Sequence, residues 1–238
     1  MRNPFFIVGT GRCGTQLLRK MMEKNNNIKV LPETYFITVL YDKYGFNYIS
    51  YNDFYEVIDN IYGENGRKWI KVILNSANKD YKSFYLDLKN YCKDSLTSNN
   101  IAGYLKCLFE FLYGENVIIG DKTPLYGTKA KKIKSIWPKA KFIYLSRDLN
   151  DVAVSMLKHS AFVKLINGGI NPKDVDYYKY YGHSSGCSTD NICKNDALRF
   201  CKITHELTNK ELSKINPFDV LRINYEELVC NPKITMQK

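Results

Sequence analysis

A cation sits inside a glycine turn near the start of the chain, in Phe5-Phe6-Ile7-Val8-Gly9-Thr10-Gly11-Arg12-Cys13-Gly14-Thr15-Gln16. Four residues separate Gly9 from Gly14, after an apolar run and before a helical pattern. This is the frame of a phosphate-binding loop, in which backbone N–H groups and the positive end of the next helix hold an anion. A loop for a nucleoside triphosphate carries Lys and then Ser or Thr after its last glycine, for the phosphates and Mg²⁺. Here those positions are Thr15 and Gln16. The later run Lys141–Leu145 leads into Ser146-Arg147-Asp148 and offers no clear acidic Mg²⁺ ligand. ATP hydrolysis is therefore disfavoured. A plain strand-to-helix turn would show the same glycines, but Arg12 within the turn favours a bound anion.

Three more stretches carry chemistry. In Tyr144-Leu145-Ser146-Arg147-Asp148, Arg147 ends a strand with a planar fork suited to phosphate. Ser155 follows about two turns into the next helix, on the face near that end. Taken alone, these residues read better as an Arg147–Asp148 surface pair and an ordinary helix serine. "VLPETYF" places Glu33 at the end of a short strand. "GDKTPLY" places Asp121, Lys122 and Thr123 just after the run Val117–Ile119. Open parallel sheets bind ligands at strand C-terminal ends, so both stretches can face the glycine loop. Without that context, Glu33 is a helix N-terminal acid before Thr34–Tyr41, and Lys122 is one more surface lysine.

The elements that must position these residues follow from hydrophobic period. Phe5–Val8, Val117–Ile119, Lys141–Leu145 and Phe218–Ile223 read as strands, the first three buried and parallel. Helices are predicted over Thr15–Asn25, Asn100–Tyr113, Leu125–Trp137, Asp148 to Leu165 from a capping-box-like start, and Ile192–Ile215. Strands alternating with helices predict an α/β, P-loop-like three-layer fold, with a central parallel sheet flanked by helices. Residues 34–100, rich in Tyr, Asn and Lys, read as a helical lobe over one side of the sheet. Residues 167–186 read as a long surface loop. The whole chain, 1–238, is expected to be one domain.

Bulk properties narrow the partners. The 238 residues carry 35 basic and 24 acidic side chains, a net charge of +11 that attracts anions. The lysines are scattered, and Lys129–Lys134 fits a solvated helix face, so neither nucleic acid nor a membrane is an expected partner. No apolar run reaches the ~20 residues of a membrane span, and no signal-peptide pattern precedes the glycine loop. Seven cysteines without CxxC pairs suit a cytoplasmic protein with reduced thiols and no metal site. A local Cys187–Cys193 bridge is the alternative for that pair.

The ordered set "GTGRCGTQLL", "YLSRDLNDVAVS" and "VLRINYEELVCNP" resembles the sulfotransferases that use 3′-phosphoadenosine 5′-phosphosulfate (PAPS). The set spans residues 5 to 232. Each motif alone is weak, and the three in order are specific. The resemblance implies that Gly11, Arg12, Cys13, Gly14, Thr15 and Gln16 bind the 5′-phosphosulfate. It implies that Arg147 and Ser155, eight positions apart, bind the 3′-phosphate. The element Tyr225-Glu226-Glu227-Leu228-Val229-Cys230-Asn231-Pro232 matches the third motif, with Tyr225 among the cofactor-binding residues. A sulfuryl group carries less charge than a phosphoryl group. Side-chain cations and loop N–H groups can then replace Mg²⁺.

Glu33 and the Lys122-Thr123-Pro124 element resemble the branch containing tyrosylprotein and many bacterial sulfotransferases. The likeness implies Glu33 as base, with Lys122 and Arg12 as the cations of in-line transfer to a hydroxyl or phenol. Another branch uses a His base well before the second motif. Here His159, His183 and His205 all follow Arg147, which supports Glu33. His159 and His205 read as helix-surface residues. His183 reads first as a loop residue and second as an acceptor-pocket residue. The family normally continues past the third motif with a helix and a basic loop over the adenosine. The chain as given, ending at Lys238, is expected to lack that segment. The acceptor is a small molecule, carbohydrate or peptide, with oligomeric state left open. The alternatives are a degenerate, non-catalytic nucleotide- or anion-binding member of the family and, further off, a P-loop kinase.

Overall fold

The computed structural model describes residues 3–63, 66–181 and 192–237. Its centre is a five-stranded sheet formed by β1 (Phe5–Gly9), β2 (Ile28–Leu31), β3 (Ile118–Asp121), β4 (Lys141–Ser146) and β5 (Val220–Asn224), in the order β2-β3-β1-β4-β5. Every pairing is parallel. β1 is buried along its whole length, as an apolar central strand covered on both faces must be. Its residues Phe5 to Gly9 register against Lys141 to Leu145 of β4. On the other side Phe5 registers with Gly120, where any β-carbon would lie 2.2 Å from the Phe5 ring. The chain leaves β1 toward β2 and leaves β4 toward β5, so connections diverge between β1 and β4. That divergence opens a crevice at their C-terminal ends.

Helix α1 (Thr15–Met22) follows the glycine loop. Helices α2 (Phe36–Tyr44), α3 (Tyr51–Asp59), α4 (Trp69–Ser76) and α5 (Tyr81–Ser95) form the helical lobe expected over 34–100. Phe36, Leu40, Phe54, Ile73 and Phe84 of this lobe join Phe6 and Val8 of β1 in one apolar cluster. Helix α6 (Ile101–Tyr113) joins it as well, started by Asn100, whose side chain accepts from the Gly103 N–H.

Several boundaries differ from expectation. The first helix stops at Met22. The predicted helix 125–137 is a 3-10 turn, Pro124–Lys129, followed by α7 (Ala130–Ile136). Asp148 does cap a helix, accepting from the N–H groups of Asn150 and Asp151. That helix, α8, ends at Leu157, and a second, α9 (Ser160–Asn167), starts after His159. The predicted loop 167–186 contains α10 (Val175–Tyr181). Periodicity missed α10 because its anchor is polar: Asp176 is buried against Lys129 and Thr38. The segment's remaining residues 182–186, with His183, lie outside the described residues, as does Cys187 of the suggested Cys187–Cys193 pair. Helix α11 (Lys194–Leu212) starts in a capping box at Cys193, and α12 (Tyr225–Cys230) and α13 (Pro232–Thr235) complete the described chain. No described helix is long and apolar enough to cross a membrane.

Candidate functional site

The glycine loop bends through three left-handed residues in four, Gly11 (φ 78°), Arg12 (φ 54°) and Gly14 (φ 97°). Arg12 is the costly one, because its β-carbon disfavours that region. Successive N–H groups turned inward in this way form an anion-binding concavity at the start of α1. Phe162 of α9 packs over Gly11, and Tyr225 packs over Gly14 so closely that a β-carbon would sit 2.3 Å from the ring. Cys13 points the other way, into a cluster with Val152, Met156 and Cys201. Burial pushes its thiol pKa up, so it stays a neutral core group, and only its backbone is left to meet an anion.

The second anion motif meets the first directly. Arg12 Nε donates to Ser155 Oγ at 3.3 Å. Arg147, at the end of β4, lies with its guanidinium carbon 4.5 Å from the Tyr225 ring centroid, a cation–π contact. It makes a long contact to Asp151 at 3.4 Å, while its Nε is buried without a hydrogen-bond partner among the described residues. A buried guanidinium N–H left open suits a phosphate oxygen.

Glu33 and Lys122 come from neighbouring strand ends. Lys122 Nζ is 2.6 Å from Glu33 Oε1, and Tyr35 donates its hydroxyl to Oε2. Trp69 Nε1 donates to the Glu33 carbonyl at 2.7 Å. Tyr35, at φ 56°, breaks the chain between β2 and α2 and turns its ring back toward Glu33. Burial and the Glu33 charge both push the Tyr35 phenol pKa up, so it stays a donor.

A side-chain clasp fixes these two strand ends. The Lys122 N–H donates to the Leu31 carbonyl at 3.0 Å, and the Thr34 N–H to Thr123 Oγ1 at 2.9 Å. Thr123 in turn donates to Asp121 Oδ1 at 2.6 Å. The Tyr126 hydroxyl shares a hydrogen bond with Thr34 Oγ1 at 2.8 Å and accepts from the Ile37 N–H at 3.0 Å. Burial holds the Asp121 carboxyl up at about 7, against the opposing effect of the Thr123 hydrogen bond.

The two anion motifs and the Glu33–Lys122 pair converge on one cavity of about 470 Å³ at the strand C-terminal ends. Gly11, Arg12, Gly14, Thr15 and Gln16 line it, together with Glu33, Lys122, Arg147 and Ser155. Cys13 and Tyr225 stand behind that lining. Sequence reasoning missed Tyr35, Trp69, Phe162 and Lys179, which also line it. The signal for Tyr35 was its place two residues after Glu33; the others had none. His159, read as helix surface, lines the cavity at the start of α9, because the helix breaks there. His205 is half-buried, its Nδ1 2.7 Å from the Tyr144 hydroxyl.

A sequence model of the sulfotransferase family matches residues 4–238. The chain belongs to the sulfotransferase family. A search of curated proteins by sequence finds no match for this chain. Among solved structures, its fold is similar to the sulfotransferase domain from the curacin biosynthetic pathway, with TM-score 0.62 and 17% identity over 100% of this chain and 72% of that one. It is similar to the sulfotransferase domain of the Synechococcus PCC 7002 olefin synthase, with TM-score 0.58 and 17% identity over 99% and 70% of the two chains. A sulfotransferase from Alicyclobacillus acidocaldarius gives TM-score 0.50 and 16% identity over 98% and 76%. At such identities these likenesses describe the fold alone.

Proposed function

We propose that this chain transfers a sulfuryl group from PAPS to the hydroxyl of an alcohol or phenol. The observation that carries the reading is the Glu33–Lys122 pair, which opens on the same cavity as Arg12 and Arg147. When bound, the donor supplies a sulfuryl group whose S–O bond to the 5′-phosphate breaks as an O–S bond to the acceptor forms. The glycine-loop N–H groups and Arg12 would hold the phosphosulfate end. Arg147, with its open Nε, and Ser155 would hold the 3′-phosphate, with Tyr225 supporting Arg147 from behind.

Glu33 would take the acceptor proton. Its two oxygens are already oriented by Lys122 and Tyr35, and each keeps a further lone pair for the acceptor hydroxyl. Proton transfer neutralises Glu33, and Lys122 then loses its counter-charge. Its cation becomes available to the leaving oxygen at the stage when negative charge develops there. Base and electrophile are thus coupled through one ion pair.

Calorimetric titration with adenosine 3′,5′-bisphosphate tests the donor. No binding at millimolar ligand, or equal binding of AMP, refutes it. Glu33→Gln should cut sulfate transfer by about 10²–10⁴-fold and leave nucleotide affinity nearly intact. Transfer that survives this change puts the base elsewhere. Nucleotide binding without transfer to any of a broad panel of alcohols and phenols supports a non-catalytic member instead.

A further inference from the structure

Two aromatic rings are tied to Glu33 by their polar tips. Trp69 gives its indole N–H to the Glu33 carbonyl at 2.7 Å, and Tyr35 gives its hydroxyl to Glu33 Oε2. The rings meet edge to face, with centroids 5.9 Å apart. Both line the cavity, and Trp69 is only half-buried, so part of its ring surface is open there. Pro124, Leu125 and Leu165 add further apolar surface to the lining.

This aromatic corner is held from behind. At the start of α4, the Trp69 backbone N–H donates to the Ile61 carbonyl at 2.7 Å, next to a bridge between Tyr62 and Lys68. Lys68 is paired in turn with Asp59. Because both tips are spent on Glu33, the two rings offer an incoming molecule their faces and edges but no free donor. Apart from Glu33 and Lys122, the other polar lining groups sit on the glycine loop, α1, α8 and the end of β4, or are His159 and Lys179, which have partners of their own. A carbohydrate, with a hydroxyl on nearly every carbon, would give up water here against rings that cannot replace it. An aromatic ring gives up little, and it gains contact when its centroid comes to ~4.5–7 Å from another. Tyr35 itself shows how a phenol approaches this carboxylate, with its hydroxyl on Glu33 and its ring against Trp69.

We propose that the acceptor is an aromatic hydroxyl compound, a phenol or an aryl methanol, and that Trp69 selects it by packing against its ring. The proposal rests on the reading of Glu33 as the base. Trp69 then acts twice: its N–H fixes the Glu33 backbone, and its ring sorts acceptors.

The test uses the full chain, PAPS, and acceptors that carry a primary alcohol on different bodies. Benzyl alcohol is compared with cyclohexylmethanol, 2-naphthylmethanol with its decahydro counterpart, and all of them with methyl glucoside. In the wild-type protein, kcat/KM should favour each aromatic member over its saturated counterpart by about 3–10-fold, the value of an aromatic pair beyond area burial. It should favour benzyl alcohol over methyl glucoside by about 100-fold. Trp69→Phe should lower kcat/KM for every acceptor by one common factor, through the lost N–H, and keep the aromatic ratio. Trp69→Leu should bring that ratio to within about twofold of one, with thermal melts checking the fold. A wild-type ratio of one, or methyl glucoside used as well as benzyl alcohol, overturns the proposal, and neither comparison needs a variant. A ratio unchanged by Trp69→Leu overturns it too. Binding of adenosine 3′,5′-bisphosphate with transfer to none of these acceptors also overturns it, and leaves the donor assignment standing. Absence of nucleotide binding refutes the donor assignment, and the proposal falls with it.

Discussion

Replacing Asp121 with asparagine should flatten the pH dependence of stability. Asp121 ends β3, is 1% exposed, and keeps Oδ2 without a partner among the described residues. Burial holds its carboxyl at about 7, where an ordinary aspartate titrates at 3.8. The folded protein thus binds this proton more tightly than the unfolded chain. Its contribution to stability is fully present below the unfolded value, declines as pH rises toward about 7, and is flat above that. A shift of this size is worth about 4 kcal/mol as an upper limit, of which about 3 kcal/mol lies between pH ~5 and pH ~8. Asparagine carries no such dependence. Its oxygen can still accept from Thr123, but an amide N–H₂ without a partner would replace Oδ2, costing about 1–3 kcal/mol at any pH. The variant should therefore be less stable than wild type near pH ~5 and recover about 2–3 kcal/mol relative to it near pH ~8. Urea midpoints of both proteins at the two pH values read this difference, in which the other titrating groups largely cancel. Parallel curves, or a larger deficit at the higher pH, would refute the assignment of a raised carboxyl.

Arg147→Ala should weaken adenosine 3′,5′-bisphosphate by about 10–100-fold in calorimetry and change AMP affinity little, and equal losses for both ligands would contradict a 3′-phosphate contact. Gly14→Ala places a methyl against the Tyr225 ring at a positive φ, so it should lower stability by about 1–3 kcal/mol in a urea melt and abolish nucleotide binding. Tyr35→Phe removes one of the two side-chain hydrogen bonds to Glu33 and should reduce kcat by about 3–10-fold at unchanged nucleotide affinity; an unaltered kcat would mean that Lys122 alone orients the carboxylate.

The sheet was largely legible because its inner strands are short apolar runs bounded by turn residues, a pattern that burial on both faces enforces. The glycine turn at the end of β1 was legible too, because glycines between an apolar run and a helical pattern mark such a turn, whereas Arg147 and Ser155 read locally as an ordinary surface residue and helix serine and were drawn together only by the family resemblance. What escaped was set by tertiary contact. α10 is held by a buried ion pair from Asp176 to Lys129, which lies far away in sequence, and no local period reports it. Trp69 and Lys179 enter the cavity from the lobe and α10, among many aromatic and lysine residues of similar local pattern. The break at His159 turned one predicted helix into two and brought a supposed surface residue into the cavity.

The clasp between β2 and β3 also divides labour in the molecule. Thr34, Thr123 and Tyr126 fix the strand ends that carry Glu33 and Lys122, through hydrogen bonds made beneath the cavity. Phe162 and Lys179 take no part in that clasp and belong to helices outside the sheet. Substitutions at those two positions can therefore reshape the cavity without moving Glu33 and Lys122. If the chain transfers a sulfuryl group as proposed, reactivity and selectivity are separately adjustable in this architecture, with α9 and α10 among the places to alter the second.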